Sequence, residues 1–128
     1  MTGVVLDASA VLALLRAEPG GEHVSDMLDD AIMSAVNLHE VAKELLVSGI
    51  PIAIVEIMLA KLRIDIRPHD SSAAFAAARL HAETKQYGRG LGDRACMSLA
   101  ITLGVPALTA DREWAKIRAK GLKIEMLR

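Results

Sequence analysis

Apolar residues along this chain fall into two rhythms. Short continuous runs at residues 3–6, 31–35, 64–66, 105–108 and 122–126 read as strands, because they are brief, rich in Val, Ile and Leu, and bounded by turn formers. Between them, apolar residues recur at helical spacing over residues 8–17, 22–30, 37–47, 52–62, 72–83, 93–103 and 112–119. The stops are clear: Pro19-Gly20-Gly21 after the first helix, Gly49 and Pro51 after the third, the Gly88-Arg89-Gly90-Leu91-Gly92 loop before the sixth, and Gly104 after it. Short apolar strands alternating with helices predict an α/β domain whose mainly parallel sheet is covered on both faces. Residues 52–62 are apolar on nearly every side of their predicted helix, which contact with a protein partner explains best, with burial inside the monomer as the alternative.

Composition narrows the picture. A chain of 128 residues fits one domain, spanning 1–128. Phe75, Tyr87 and Trp114 are its only aromatic residues, so aliphatic side chains and Ala must fill the core, and stacking on bases is not expected to dominate any nucleic-acid binding. Cys96 has no partner for a disulfide or a Cys-rich zinc site, which suits a reducing compartment. Because the first residues read directly as a strand, no signal peptide is expected, and the most apolar stretch, residues 50–62, carries Glu56 and Lys61 and is too short to span a bilayer. A soluble cytoplasmic protein with no membrane contact is expected.

The net charge of −1 hides an asymmetry: residues 1–84 hold six Lys and Arg against twelve Asp and Glu, whereas residues 85–128 hold nine against four. An acidic region beside a basic one fits a metal centre flanked by phosphate-contacting side chains, and a solvated basic C-terminal segment would look similar.

Four carboxylates carry the candidate chemistry. Asp7 and Asp111 fall just past strand ends, where ligands bind in open parallel sheets, while Glu40 and Asp93 stand near the starts of two helices. The glycine-rich loop before Asp93 reads as a flexible approach to it. Each acid has a plain alternative. Asp7, Asp93 and Asp111 suit helix N-caps, and Asn37-x-x-Glu40 matches a capping box with Asn37 as the cap. Caps do not by themselves explain acids at two strand ends and on two further helices opening to one edge. Such a group repels itself unless a cation neutralises it, and hard cations such as Mg²⁺ or Mn²⁺ take oxygen ligands. Ser9 and Thr109 are candidates to bond a metal-held water or to cap helices, with capping favoured for Ser9. Arg94 and Arg112 follow acids directly in first helical turns, where cations are disfavoured; they either pair with those acids or face phosphate. Arg89 and Lys43 are further candidates for phosphate contact.

The segments Val4-Val5-Leu6-Asp7-Ala8-Ser9-Ala10, Asn37-Leu38-His39-Glu40-Val41, Leu91-Gly92-Asp93-Arg94-Ala95-Cys96 and Leu108-Thr109-Ala110-Asp111-Arg112-Glu113-Trp114 resemble, in order and spacing, the PIN-domain nucleases, and among them the VapC-type toxins of toxin–antitoxin pairs. The resemblance spans essentially the whole chain, with no departure at the acidic positions. It implies an α/β/α sandwich around a five-stranded sheet and a Mg²⁺- or Mn²⁺-dependent endoribonuclease that cuts phosphodiesters with metal-activated water. Asp7, Glu40, Asp93 and Asp111 would be its catalytic and metal-holding residues. It further implies a homodimer and a small VapB-type antitoxin that blocks the site. Two other readings remain at this point: a catalytically silent binding protein on the same fold, and a phosphate-accepting receiver-like domain. A dinucleotide-binding domain is disfavoured, since Asp7-Ala8-Ser9-Ala10 occupies the turn where a Gly-rich loop belongs.

Overall fold

The computed structural model describes residues 2–128. The five apolar runs form one sheet in which every neighbouring pair is parallel: β1 (Val4–Leu6), β2 (Ala31–Ser34), β3 (Asp65–Arg67), β4 (Ala107–Thr109) and β5 (Ile124–Met126), in the order β3-β2-β1-β4-β5. Parallel neighbours need crossover connections, and helices supply them. α1 (Ala8–Leu15) and α2 (Gly21–Asp26) join β1 to β2; α3 (Ala35–Val47) and α4 (Ile52–Leu62) join β2 to β3; α5 (Ser71–Ala78) and α6 (Leu91–Leu103) join β3 to β4.

β1 shows why its run is continuously apolar. Val4 and Leu6 point into one cluster with Val11 of α1 and Val41 and Leu45 of α3, whereas Val5 points the opposite way into a cluster with Cys96, Met97 and Ala100 of α6 and Trp114. Both faces of the central strand are therefore buried, and the polar alternation of a half-exposed strand is absent. Aliphatic residues and Ala do fill most of the core; Trp114 is the exception, a fully buried ring, while Phe75 is exposed.

Four predicted helices are shorter than their spacing suggested, α1 ending at Leu15 and not at residue 17. α2 stops at Asp26 and a 3-10 turn over Leu28–Asp30 leads into β2. α5 ends at Ala78, after which turns carry Leu80 and Thr84 into the interior, the Thr84 hydroxyl donating to the Leu80 carbonyl at 2.7 Å. The segment after β4 forms a 3-10 turn over Arg112–Lys116, not a helix to residue 119. Its two buried anchors, Trp114 and Ile117, are three residues apart, a spacing that a three-residue turn aligns on one side.

The chain leaves β1 in one direction to build β2 and β3, then returns to its other side for β4 and β5. The order thus reverses between β1 and β4, and the carboxyl ends of those two strands border the crevice where such sheets bind ligands. This order is shared with dinucleotide-binding sheets, whose Gly-rich turn the chain lacks, and it differs from the 2-1-3-4-5 order of receiver domains, which removes the phosphate-accepting alternative. Among the described residues, no helix is long and apolar enough to cross a membrane.

Candidate functional site

Asp7 follows β1 directly, and its backbone N–H still donates to the Leu108 carbonyl at 2.9 Å, so the sheet fixes its main chain. Its side chain is buried. It stands at the N-cap position of α1 but makes no side-chain cap bond, so capping does not explain it. Instead Oδ2 accepts from the Ser9 hydroxyl at 2.7 Å and from the Thr109 hydroxyl at 2.9 Å. Each hydroxyl is itself an acceptor, Ser9 from the Ala110 N–H at 2.9 Å and Thr109 from the Asp111 N–H at 3.0 Å. Both hydroxyl protons are thereby directed at Asp7. The expectation that Ser9 caps a helix is corrected: its hydroxyl latches Asp7 to the β4 exit.

Asp111 does cap, its Oδ1 accepting from the Glu113 N–H at 3.0 Å at the start of the 3-10 turn. Asp93 lies inside α6, which begins at Leu91 with Gly90 as cap, two residues before the predicted start. Its Oδ2 reaches back to accept from the Gly90 N–H at 3.1 Å. Glu40 is not half of a capping box with Asn37. Ser34 caps α3, accepting from the Val36 N–H at 3.1 Å, and Asn37 is already helical.

The Asn37 side chain instead spans two elements. Its Nδ2 donates to Glu40 Oε1 at 2.9 Å and to the Gly92 carbonyl on α6 at 3.0 Å. Oδ1 of the same amide is buried with no partner among the described residues, a state that costs about 1–3 kcal/mol. Gly92 packs so closely on the Glu40 carboxylate that any Cβ there would overlap it. The Gly88 to Gly92 loop, expected to be a flexible approach, is a fitted one: at Gly88, with φ +68°, a Cβ would lie 2.8 Å from both Ile117 and Met97 side chains. Asn37 and Gly92 were the site-shaping residues that sequence reasoning passed over. The available signal was a polar amide on the stripe Asn37, Val41, Leu45, all buried at four-residue spacing.

The charges interact. Burial raises the Asp7 pKa, opposed by the Ser9 and Thr109 hydroxyls. Burial also raises Glu40, opposed by the Asn37 amide and reinforced by the negative charge of Asp7. Asp93 is pushed up to about 6, first by burial and then by Asp7, with Glu40 and Asp111 adding smaller pushes against the Gly90 N–H. Behind them the buried Cys96 thiol is pushed up by burial and by Asp7, Asp93 and Glu40, so it is an inert core residue.

Among the described residues no ion pair relieves this crowding, and the only opposing charges on Glu40 are the weak pulls of Lys43 and His39. The ion pairs among the described residues are Lys43–Glu44, Arg67–Asp65 and Arg128–Glu18, and none includes any of the four acids. Arg94 and Arg112, expected to pair with adjacent acids or to face phosphate, turn to backbone carbonyls: Arg94 Nη2 donates to Arg89 O at 2.6 Å and Arg112 Nε to Arg128 O at 3.3 Å. Among the described residues, no group of three or more His, Cys, Asp or Glu side chains is already drawn together tightly enough to hold a metal ion. The donor chemistry nonetheless suits a hard cation: carboxylate oxygens only, those of Asp7, Glu40 and Asp93 at least partly buried, and none held in an ion pair among the described residues.

A family model described as PIN domain matches residues 4–120. No curated protein matches the sequence. Among solved structures, the chain is similar to DNA-bound VapBC from Salmonella typhimurium, with 20% identity over 100% of both chains and a TM-score of 0.75. It is similar also to VapBC2 from Rickettsia felis bound to a promoter DNA fragment, with 19% identity, coverage of 96% of this chain and 97% of that one, and a TM-score of 0.69. PAE2754 from Pyrobaculum aerophilum matches at 20% identity over 96% of this chain and 90% of the other, with a TM-score of 0.66. At such identities the likeness is one of fold.

The raised pKa of Asp93 has a consequence for stability. Between the ordinary carboxylate value of 3.8 and the folded value of about 6, the folded protein holds a proton that the unfolded chain has released. Stability of the metal-free protein therefore falls as pH rises across that window and levels off above it, by at most about 1–2 kcal/mol once solvent screening of this partly exposed group is allowed for. Asp93→Asn is expected to flatten this fall and to melt higher than wild type at pH 7 in EDTA. Thermal melts from pH 4 to 8 would check this, and identical profiles for the two proteins would contradict it.

Proposed function

The chain belongs to the PIN domain family, and on that premise we propose that it is the toxin of a VapC-type toxin–antitoxin pair, a Mg²⁺- or Mn²⁺-dependent endoribonuclease. The observation that carries this reading is that Asp93 feels the charges of Asp7, Glu40 and Asp111 together, with none of the four in an ion pair among the described residues. Carboxylates in that state require an external positive charge, and the same charge is what a phosphodiester needs in order to be attacked.

A bound divalent ion would supply a more acidic water and neutralise charge developing on the phosphate. The chain's own side chains do the rest. Asp7, held in one rotamer by Ser9 and Thr109, and Asp93, tied back to the Gly90 N–H, present carboxylates on fixed backbone supports. Glu40, braced by Asn37, adds a third, and Asp111 a fourth from the β4 exit. Water oxygen bonds to phosphorus, the bond from phosphorus to the 3′ oxygen breaks, and that oxygen takes a proton. The products are a 5′-phosphate and a 3′-hydroxyl. The 2′-hydroxyl takes no part, so selection of RNA rests on binding. Arg94, Arg112, Arg89 and Lys43 are the side chains proposed to contact phosphates; among the described residues the first three make no ion pair.

The partner surface is separate from the acids. α4 exposes Ile52, Ile54 and Ile57, and beside it Val11, Met33, Leu38, Val55, Leu59 and Ile64 line an apolar groove of about 350 Å³ that none of the four acids borders. An exposed apolar helix face next to such a groove is suited to an antitoxin segment or to a second copy of the chain. Activity in the cytoplasm as a homodimer silenced by a VapB-type antitoxin completes the proposal.

Three outcomes are expected. Asp7→Asn and Asp93→Asn keep the wild-type circular dichroism and lower RNA cleavage in limiting Mg²⁺ by about 10²-fold or more; wild-type rates in either, or products ending in 2′,3′-cyclic phosphate, would overturn the mechanism. Replacing Arg89, Arg94, Arg112 or Lys43 by Ala reduces the slope of log affinity for single-stranded RNA against log salt by about 0.7 for each phosphate that the side chain neutralises, and an unchanged slope would assign that residue a structural role. Ile54→Glu weakens self-association or antitoxin binding at least about tenfold in analytical ultracentrifugation and pull-down titration. Both remaining at wild-type strength would remove α4 from the interface.

A further inference from the structure

We propose that Asn37 is a positioning residue for the acidic centre, one amide that sets the separation between Glu40 on α3 and the Asp93-bearing start of α6. The inference rests on the reading of that centre as a divalent-cation site.

Asn37 lies on the buried stripe of α3 with Val41 and Leu45 and has no exposed surface. An aliphatic residue there would continue the stripe and leave nothing unsatisfied, whereas the amide leaves Oδ1 buried without a partner. What the amide adds is its two N–H groups, both on Nδ2, one to Glu40 Oε1 at 2.9 Å and the other to Gly92 O at 3.0 Å. Those partners are both acceptors, which fixes the amide's orientation: the flipped form would set an oxygen against each of them. Gly92 is followed directly by Asp93, so the bridge joins the backbone beside one acid to the carboxylate of another.

The residue type matters. A Lys or Arg at this point would hold Glu40 equally well but cancel its charge, and an Asp would repel it. The neutral donor orients the carboxylate while leaving its negative charge for an external cation. Gly92 closes the clamp from the other side, because the Glu40 carboxylate occupies the space of a Cβ. Amide and glycine together fix where the Glu40 oxygens sit before any ion arrives.

The test is Mn²⁺ binding by calorimetry on the full chain, with folding followed by circular dichroism and melting in EDTA. Asn37→Leu keeps the volume and cannot donate; Asn37→Ala is read by the same criteria should the Leu variant not fold. Folded protein with Mn²⁺ affinity weakened by about 10–100-fold is expected. In a Glu40→Gln background most of that further loss should vanish, because the carboxylate that the amide orients is gone. Wild-type affinity in Asn37→Leu would overturn the proposal, as would a loss that recurs in full beside Glu40→Gln, since that marks a merely structural role. Wild-type protein that takes up no Mn²⁺ would overturn the cation-site reading, and the inference with it.

Discussion

Like charges resist being gathered, and this fold gathers four. Asp7, Glu40, Asp93 and Asp111 come from a strand end, two helices and a second strand end, and their mutual repulsion shows in the pKa of Asp93, raised to about 6 by burial and by the other three. Packing on both faces of the sheet must hold these groups against that repulsion. The two apolar clusters, one on each face of β1, supply the restraint. A site of this kind trades stability of the empty protein for readiness to bind a cation.

Neutral donors manage the strain. Ser9 and Thr109 turn their hydroxyl protons to Asp7, the Gly90 N–H meets Asp93, and the Asn37 amide meets Glu40. None of these groups carries a charge. Orientation is thereby separated from neutralisation, and the site keeps its negative potential. The arginines nearest in sequence follow the same division, since Arg94 and Arg112 spend their observed hydrogen bonds on backbone carbonyls and not on Asp93 or Asp111.

Much of this was legible in the sequence. The three inner strands were readable because each is a nearly continuous apolar run, which burial on both faces demands, the edge strands β3 and β5 as short alternating runs, and the acids stood out just past two strand ends and near two helix starts. Less legible were features decided by tertiary packing. The 3-10 turn over Arg112–Lys116 follows from the burial of Trp114 and Ile117 on one side, which helical spacing alone did not distinguish from a longer helix. Asn37 was read as a cap because local chemistry permits it; the true cap, Ser34, lies at the end of β2, and the amide's partner on Gly92 is 55 residues away. Ser9 was misassigned for the same reason, its partners Ala110 and Asp7 being brought together only by the pairing of β1 with β4. Long-range polar partners have no periodicity to betray them.

The central claim is that the four carboxylates form a cation site, and anomalous diffraction from a crystal soaked in Mn²⁺ tests it most directly. An anomalous peak at bonding distance from the carboxylates of Asp7 and Asp93, with Glu40 and Asp111 in contact directly or through water, is the predicted result. A saturating soak that leaves this crevice without a peak, or that places Mn²⁺ only at other surface acids, would contradict it.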